Sequence, residues 1–223
     1  MELFLDTANL EEIRQAVALG VVSGVTTNPS LAAKEGIGDL EAYKTAVLEM
    51  VRLVRGPISV EVTHSDAQGM VAQAREIASW HPQVVVKLPS TVAGFQAMAV
   101  VCREGIRVNQ TLCFSVNQAL LGARLGVAFI SPFVGRLDDE GHTGMALVAD
   151  IVQMVRRYGY PSKVLAASIR HPLHVVEALR AGADIATVPF KVLMQMTHHP
   201  LTDVGMQRFA QDWEKAGLSR AAR

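Results

Sequence analysis

The sequence predicts an α/β fold, a (β/α)8 TIM barrel with an additional C-terminal helix, and three observations carry that prediction. Eight short, apolar, β-rich runs recur along the chain. Longer segments with helical periodicity separate them, an alternation that forces parallel strands joined by crossover helices. No GxGxxG follows the first run, which counts against an open doubly wound sheet, and such a sheet usually has fewer strands. The 223 residues are enough for one sizeable core and sit a little below the roughly 250 typical of the barrel, so loops should be short. The expected organisation is a single barrel domain over 1–223.

The candidate strands are Glu2–Asp6, Gly24–Thr27, Ile58–Val62, Val84–Leu88, Arg107–Leu112, Ala128–Phe133, Lys163–Ala167 and Ile185–Pro189. Val84–Leu88 is apolar at consecutive positions, as a strand buried on both faces must be. Between strands, Ala67, Met70, Val71, Ala74, Ile77 and Ala78 fall on one helical face, and Ser65 or Asp66 can cap that helix. Met145, Val148, Ala149, Val152 and Val155 form a second such stripe. A short helical run, Lys191–Thr197, follows the eighth strand. The last helix, about 201–215, places Phe209 and Trp213 at i, i+4. It is longer than barrel closure needs, so it should pack on its own barrel or on a neighbour. No linker, low-complexity tract or repeat beyond the βα unit is present.

Composition excludes several classes. Lys+Arg 21 balances Asp+Glu 21, so there is no nucleic-acid footprint, and any bound anion must be held by a few arginines. Half of the chain is hydrophobic, which argues against disorder. The apolar stretches fall short of the roughly 18 residues that span a membrane. The start, Met1-Glu2-Leu3-Phe4-Leu5-Asp6, is acidic where a signal peptide is basic, so a soluble, cytoplasmic protein is expected. Cys102 and Cys113 belong to no CxxC pair and read as small apolar filler. There is no HExxH and no Cys/His cluster, so no metal site is expected.

In this fold the chemistry sits where strands end. Lys87 closes the apolar run Gln83–Leu88, where an ammonium must be paired or made neutral. A neutral amine there is a nucleophile for a carbonyl carbon. Other strand ends are polar too: Asp6, the run Thr26-Thr27-Asn28-Pro29-Ser30, Glu61, Asn109 and Thr111, and Ser131. Arg136 follows the sixth strand, and Ser168 and Arg170 follow the seventh. Each has a plainer reading. Asp6 could cap a helix, Asn28-Pro29 could start a turn, Ser131 could simply pack, and Glu61 and Lys87 could be a structural ion pair. Arg136 could pair with Asp138 or Asp139. Each buried polar group left unpaired costs roughly 1–3 kcal/mol, so a whole ring of them implies a polar ligand. Lysine suits a carbonyl, carboxylates move protons, Asn, Thr and Ser suit hydroxyls, and the arginine fork suits phosphate. A phosphorylated polyol with a ketone meets all four.

Phe4–Ala8, Gly24–Ser30, Val86–Pro89, Asn109–Ser115, Ser131–Asp139 and Ala166–Arg170, taken in order, resemble the transaldolases. The length is similar to the small subfamily that also includes the fructose-6-phosphate aldolases. The resemblance implies transfer of a dihydroxyacetone unit. Sedoheptulose 7-phosphate and glyceraldehyde 3-phosphate would exchange with erythrose 4-phosphate and fructose 6-phosphate, in the non-oxidative pentose phosphate pathway. Lys87 would form the Schiff base and Asp6 would be the general base. Glu61 and Thr111 would hold a proton-shuttling water. Thr27, Asn28, Asn109, Ser131 and Phe133 would line the substrate, and Arg136, Ser168 and Arg170 would bind its phosphate. No metal or organic cofactor is implied. Glu61 and Phe133 resemble the transaldolases, where the aldolases tend to carry glutamine and tyrosine, and Asn109 and Ser131 point the same way. The alternative is a fructose-6-phosphate aldolase that releases free dihydroxyacetone. Small members resemble homo-oligomers, decamers of two pentamer rings.

Overall fold

The structure, a computed structural model, describes residues 1–216. The domain expected over 1–223 therefore ends outside the described residues. Eight strands pair in chain order as a closed parallel barrel: β1 Glu2–Asp6, β2 Val22–Thr26, β3 Ile58–Glu61, β4 Val84–Pro89, β5 Val108–Cys113, β6 Phe129–Pro132, β7 Lys163–Ala166 and β8 Ile185–Val188. β1 meets both β2 and β8, which removes any free sheet edge. Around it lie α1 Leu10–Ala18, α2 Pro29–Lys34, α3 Leu40–Leu53, α4 Ala67–Ser79, α5 Val92–Val101, α6 Val116–Leu125, α7 Val134–Asp139, α8 Gly144–Tyr158, α9 Pro172–Ala181, α10 Phe190–Thr197 and α11 Pro200–Lys215.

Local chemistry sets these boundaries. Side-chain oxygens of Asn9, Asn28, Asp39, Asp66 and Thr91 accept from first-turn amides and start five helices. Asp66, not Ser65, caps α4. Thr27 lies one residue past β2, and Phe133 forms only a lone bridge to Ala167 beyond β6. The loops after β2 and β6 each carry an extra short helix, α2 and α7, which the simple βα alternation does not predict.

Two separate apolar clusters result. The large one fills the layer between strands and helices and includes Ile13, Val47, Ile77, Met98, Ile151 and Val175. The small one is Phe4, Val85, Phe129, Leu165, Ala167 and Ile185, the inward-facing side chains of the barrel. Gly24 belongs to this interior by its absence of side chain: a Cβ there would stand 2.8 Å from the Phe4 ring. The last helix does not pack on its own barrel. No residue of α11 is buried, and Phe209 and Trp213 are 75% and 53% exposed.

Candidate active site

Alternation along the strands builds the site. Two residues beyond Phe4, Val85, Phe129, Leu165 and Ile185 stand Asp6, Lys87, Ser131, Ala167 and Thr187, on the same face and one layer nearer the C-terminal rim. Strand register aligns Glu61 with Lys87, Lys87 with Asn109, and Asp6 with Thr26. A cavity of about 430 Å³ opens above this ring. Its wall includes Asp6, Asn28, Lys87, Asn109, Thr111, Ser131 and Phe133, with Arg136, Ser168 and Arg170 on one side. Of the residues expected from sequence, Thr27 and Glu61 are absent from that wall.

Lys87 is 4% exposed. Its Nζ donates to the Thr27 carbonyl at 2.8 Å and lies 3.1 Å from Glu61 Oε2. The buried charge is thus answered by pairing. Thr27 contributes that carbonyl, while its hydroxyl is fully buried the other way. The hydroxyl donates to Ser59 O at 2.9 Å and accepts from the Tyr43 hydroxyl. Burial pushes the Tyr43 hydroxyl up to about 12, so it keeps its proton.

Asp6 faces the cavity yet is hemmed in by packed atoms. Burial raises its pKa above the ordinary carboxylate value, and Lys87 and the Thr26 hydroxyl only partly offset this. Thr26 Oγ1 donates to Asp6 Oδ1 at 2.7 Å. With its one proton used there, Thr26 accepts from Thr187 at 2.6 Å. Ser131 Oγ donates to Asn109 Oδ1 at 2.6 Å, and Asn109 Nδ2 donates to Ser59 Oγ at 3.1 Å. The carboxamide is therefore locked in one orientation. Thr111 Oγ1 is buried in the wall with no partner among the described residues, the state of a group reserved for ligand or water.

The arginine side is shaped by backbone. Ser168 adopts φ 58, a left-handed conformation uncommon for a non-glycine residue. Gly135 makes room for it: a Cβ there would lie 2.4 Å from Ser168 O and 2.5 Å from Arg170 Nε. The Arg136 guanidinium stacks over the Phe133 ring at 5.2 Å. Its pairing with Asp138 or Asp139 does not form. Asp139 Oδ2 instead accepts from Arg170 at 2.7 Å, and Asp138 serves Gly144 N and His174.

Sequence reasoning gave no role to Thr26, Thr187 or Ser59, nor to Lys34 and Lys191 in the cavity wall. Parity was the available signal for the first three, since Thr26 pairs with Asp6, Thr187 with Phe4, and Ser59 shares a face with Glu61. Lys34 rides on the unanticipated α2. Among the described residues, no three His, Cys, Asp or Glu side chains group as metal ligands.

Fold and site together define a (β/α)8 barrel that gathers a lysine, carboxylates and arginines at the strands' C-terminal ends, where barrel enzymes keep their chemistry. The family described as Transaldolase/Fructose-6-phosphate aldolase matches residues 3–220. A protein of Dehalococcoides mccartyi named probable transaldolase is 59% identical over 215 residues, 96% of this chain and 98% of that protein. Proteins of the same name from Roseiflexus sp. and Thermoanaerobacter sp. are 59% and 54% identical, covering 96% and 98% of this chain and 97% and 99% of their own lengths. The chain belongs to the transaldolase/fructose-6-phosphate aldolase family.

Proposed function

We propose that the chain is a transaldolase that moves a dihydroxyacetone unit between sugar phosphates through a Schiff base on Lys87. The donors would be sedoheptulose 7-phosphate and fructose 6-phosphate; the acceptors, glyceraldehyde 3-phosphate and erythrose 4-phosphate. The observation that carries this reading is the Lys87 amine, set in the cavity wall 3.1 Å from a carboxylate that can take its proton. The family description and the relatives' names support the same class.

In this mechanism Glu61 accepts a proton from Lys87, and the freed Nζ adds to the ketone carbon, C2. The carbonyl oxygen gains two protons and leaves as water, giving an iminium. Asp6 removes the C4 hydroxyl proton. The C3–C4 bond breaks, its electron pair moves into the iminium as an enamine, and C4 departs as the aldehyde of an aldose phosphate. The raised pKa of Asp6 suits a base that must also give its proton back. The acceptor aldehyde is then attacked by the enamine carbon, Asp6 returns its proton to the new alkoxide to make a hydroxyl, and water hydrolyses the imine. Glu61 and the unpartnered Thr111 hydroxyl would hold that water. Asn28, the locked Asn109, Ser131 and Phe133 would orient the chain of hydroxyls, and Arg136, Ser168 and Arg170 would take the phosphate. Thr27 would act from behind, by holding Lys87.

The test is fructose 6-phosphate cleavage with and without erythrose 4-phosphate. Cleavage that depends on the acceptor supports a transaldolase, and equal cleavage with free dihydroxyacetone released makes the chain an aldolase. Borohydride added with substrate should leave covalent mass on Lys87. Lys87→Ala should lose both turnover and trapping while staying folded, and substantial residual activity would overturn the Schiff-base assignment. The exposed apolar face of α11 supports a homo-oligomer, and a role in phosphorylated-sugar metabolism would fit a cytoplasmic enzyme.

A further inference from the structure

Behind the arginine side of the cavity lies a histidine that the mechanism does not use. His174 is 7% exposed, in the first turn of α9. Its Nδ1 accepts the backbone N–H of Arg170 at 3.3 Å, and its Nε2 lies 3.2 Å from Asp138 Oδ2. A backbone N–H can only donate, so Nδ1 carries the lone pair and the proton sits on Nε2, facing the carboxylate. The other oxygen of Asp138 accepts Gly144 N at 2.8 Å. One imidazole thereby ties the Arg170 backbone to α7 and α8. The Arg170 guanidinium is held separately, by the next residue of α7, Asp139.

We propose that His174 is a positioning residue for the phosphate subsite: its neutral Nε2–H form holds the Arg170 backbone in place, and protonation releases it. The proposal rests on the phosphate-binding reading of Arg136, Ser168 and Arg170. Protonation would set an N–H on Nδ1 against the Arg170 N–H and replace an acceptor with a repulsion. The surroundings favour the neutral form. Burial lowers the pKa of His174 below its ordinary value, with His171 and Arg170 acting in the same direction and Asp138 and Glu177 opposing. The His171 ring packs against it, tilted by 49°, at 3.8 Å between centroids.

The sign of the pH effect separates this device from simple charge. Added positive charge would tighten anion binding on acidification, whereas loss of the Arg170 anchor weakens it. Sulfate is the suitable probe, because its charge is constant over about pH 5 to 8 while a sugar phosphate titrates near 6. Its competitive inhibition against fructose 6-phosphate should be flat above the ordinary histidine pKa and weaken as pH falls below it. His174→Asn keeps an acceptor near Nδ1 that cannot be protonated, so it should bind sulfate as wild type does at neutral pH and lose the pH step. His174→Leu should weaken sulfate by roughly two- to tenfold at every pH, the value of one neutral hydrogen bond. It should still trap dihydroxyacetone on Lys87 with borohydride, which also reports folding.

Wild-type sulfate binding that tightens on acidification, or a pH step that persists in His174→Asn, overturns the proposal. So does full sulfate affinity in a trapping-competent His174→Leu. Should the leucine variant fail to trap, the wild-type and asparagine pH series decide. Arg170→Ala is the control for the underlying reading. If it binds sulfate normally, the phosphate subsite itself is wrong and this proposal falls with it; if it loses sulfate and His174→Leu does not, only the role of His174 is wrong.

Discussion

Glu61 and Asp6 are two carboxylates that the fold brings near one lysine, and their surroundings give them different work. Glu61 touches the amine directly, and in the proposed mechanism its charge would favour the ammonium and the later iminium. Glu61→Gln keeps the shape and an acceptor but cannot carry a proton to and from bound water. Transfer to erythrose 4-phosphate should slow, and a larger share of the cleaved unit should appear as free dihydroxyacetone. Quantifying both products from fructose 6-phosphate checks this, and an unchanged ratio would move the discrimination to Phe133, Asn109 or Ser131. Asp6 meets its proton differently, because burial raises its pKa. A carboxyl whose folded pKa is raised stabilises the fold below its unfolded value, near 3.8, and that stability is lost as pH climbs through the folded value. Asp6→Asn removes the loss. The variant should therefore be catalytically dead yet more stable than wild type at neutral pH, by roughly 0.5–2 kcal/mol. Thermal unfolding at several pH values should show the two proteins converging near pH 4, about the unfolded carboxylate pKa.

At the scale of single elements, α7 is one of the two shortest helices and has the largest influence on the arginine side. Its first turn lies against the Ser168–Arg170 loop through Gly135, and its last two residues hold Arg170 and His174. Gly135→Ala would drive a methyl into Ser168 O and the Arg170 side chain. We expect KM for fructose 6-phosphate to rise about ten- to a hundredfold, the value of a lost charged hydrogen bond. Half-maximal trapping of dihydroxyacetone should change far less, and equal losses would mean a general collapse of the rim. The strands themselves were readable, because burial on both faces demands unbroken apolar runs such as Val84–Val86. Their ends moved by a residue or two, since pairing decides them: the irregularity between Gln110 and Cys113 carries β5 on past Leu112. The ring residues were readable as types for the same reason, polar groups standing where apolar ones belong. Thr27 was chosen over Thr26 because adjacent threonines look alike until register assigns the face. Asp139–Arg170 was not readable, because it depends on how an unforeseen short helix lies against a loop from another strand; His174–Arg170 is local, and it depends on the backbone path of the turn that leads into α9.

For the molecule as a whole, α11 is the element without a place. Leu201, Met206, Phe209 and Trp213 are all more than half exposed on a helix that buries nothing of its own. Exposed apolar surface of this kind marks association sites, and on the reading proposed above the partner would be further copies of the same chain. Phe209→Ser with Trp213→Ser should reduce the species seen by light scattering while circular dichroism keeps the barrel's helical signal. A wild-type protein that is already monomeric would remove the oligomer reading. The division of the interior has a longer reach. Phe4, Val85, Phe129, Leu165, Ala167 and Ile185 form a cluster apart from the shell that binds strands to helices, and Leu165 reaches the cavity wall. Residues that share no partners change stability independently. A lineage of such barrels can therefore rework the floor beneath its substrate, generation after generation, while its descendants inherit the outer architecture intact.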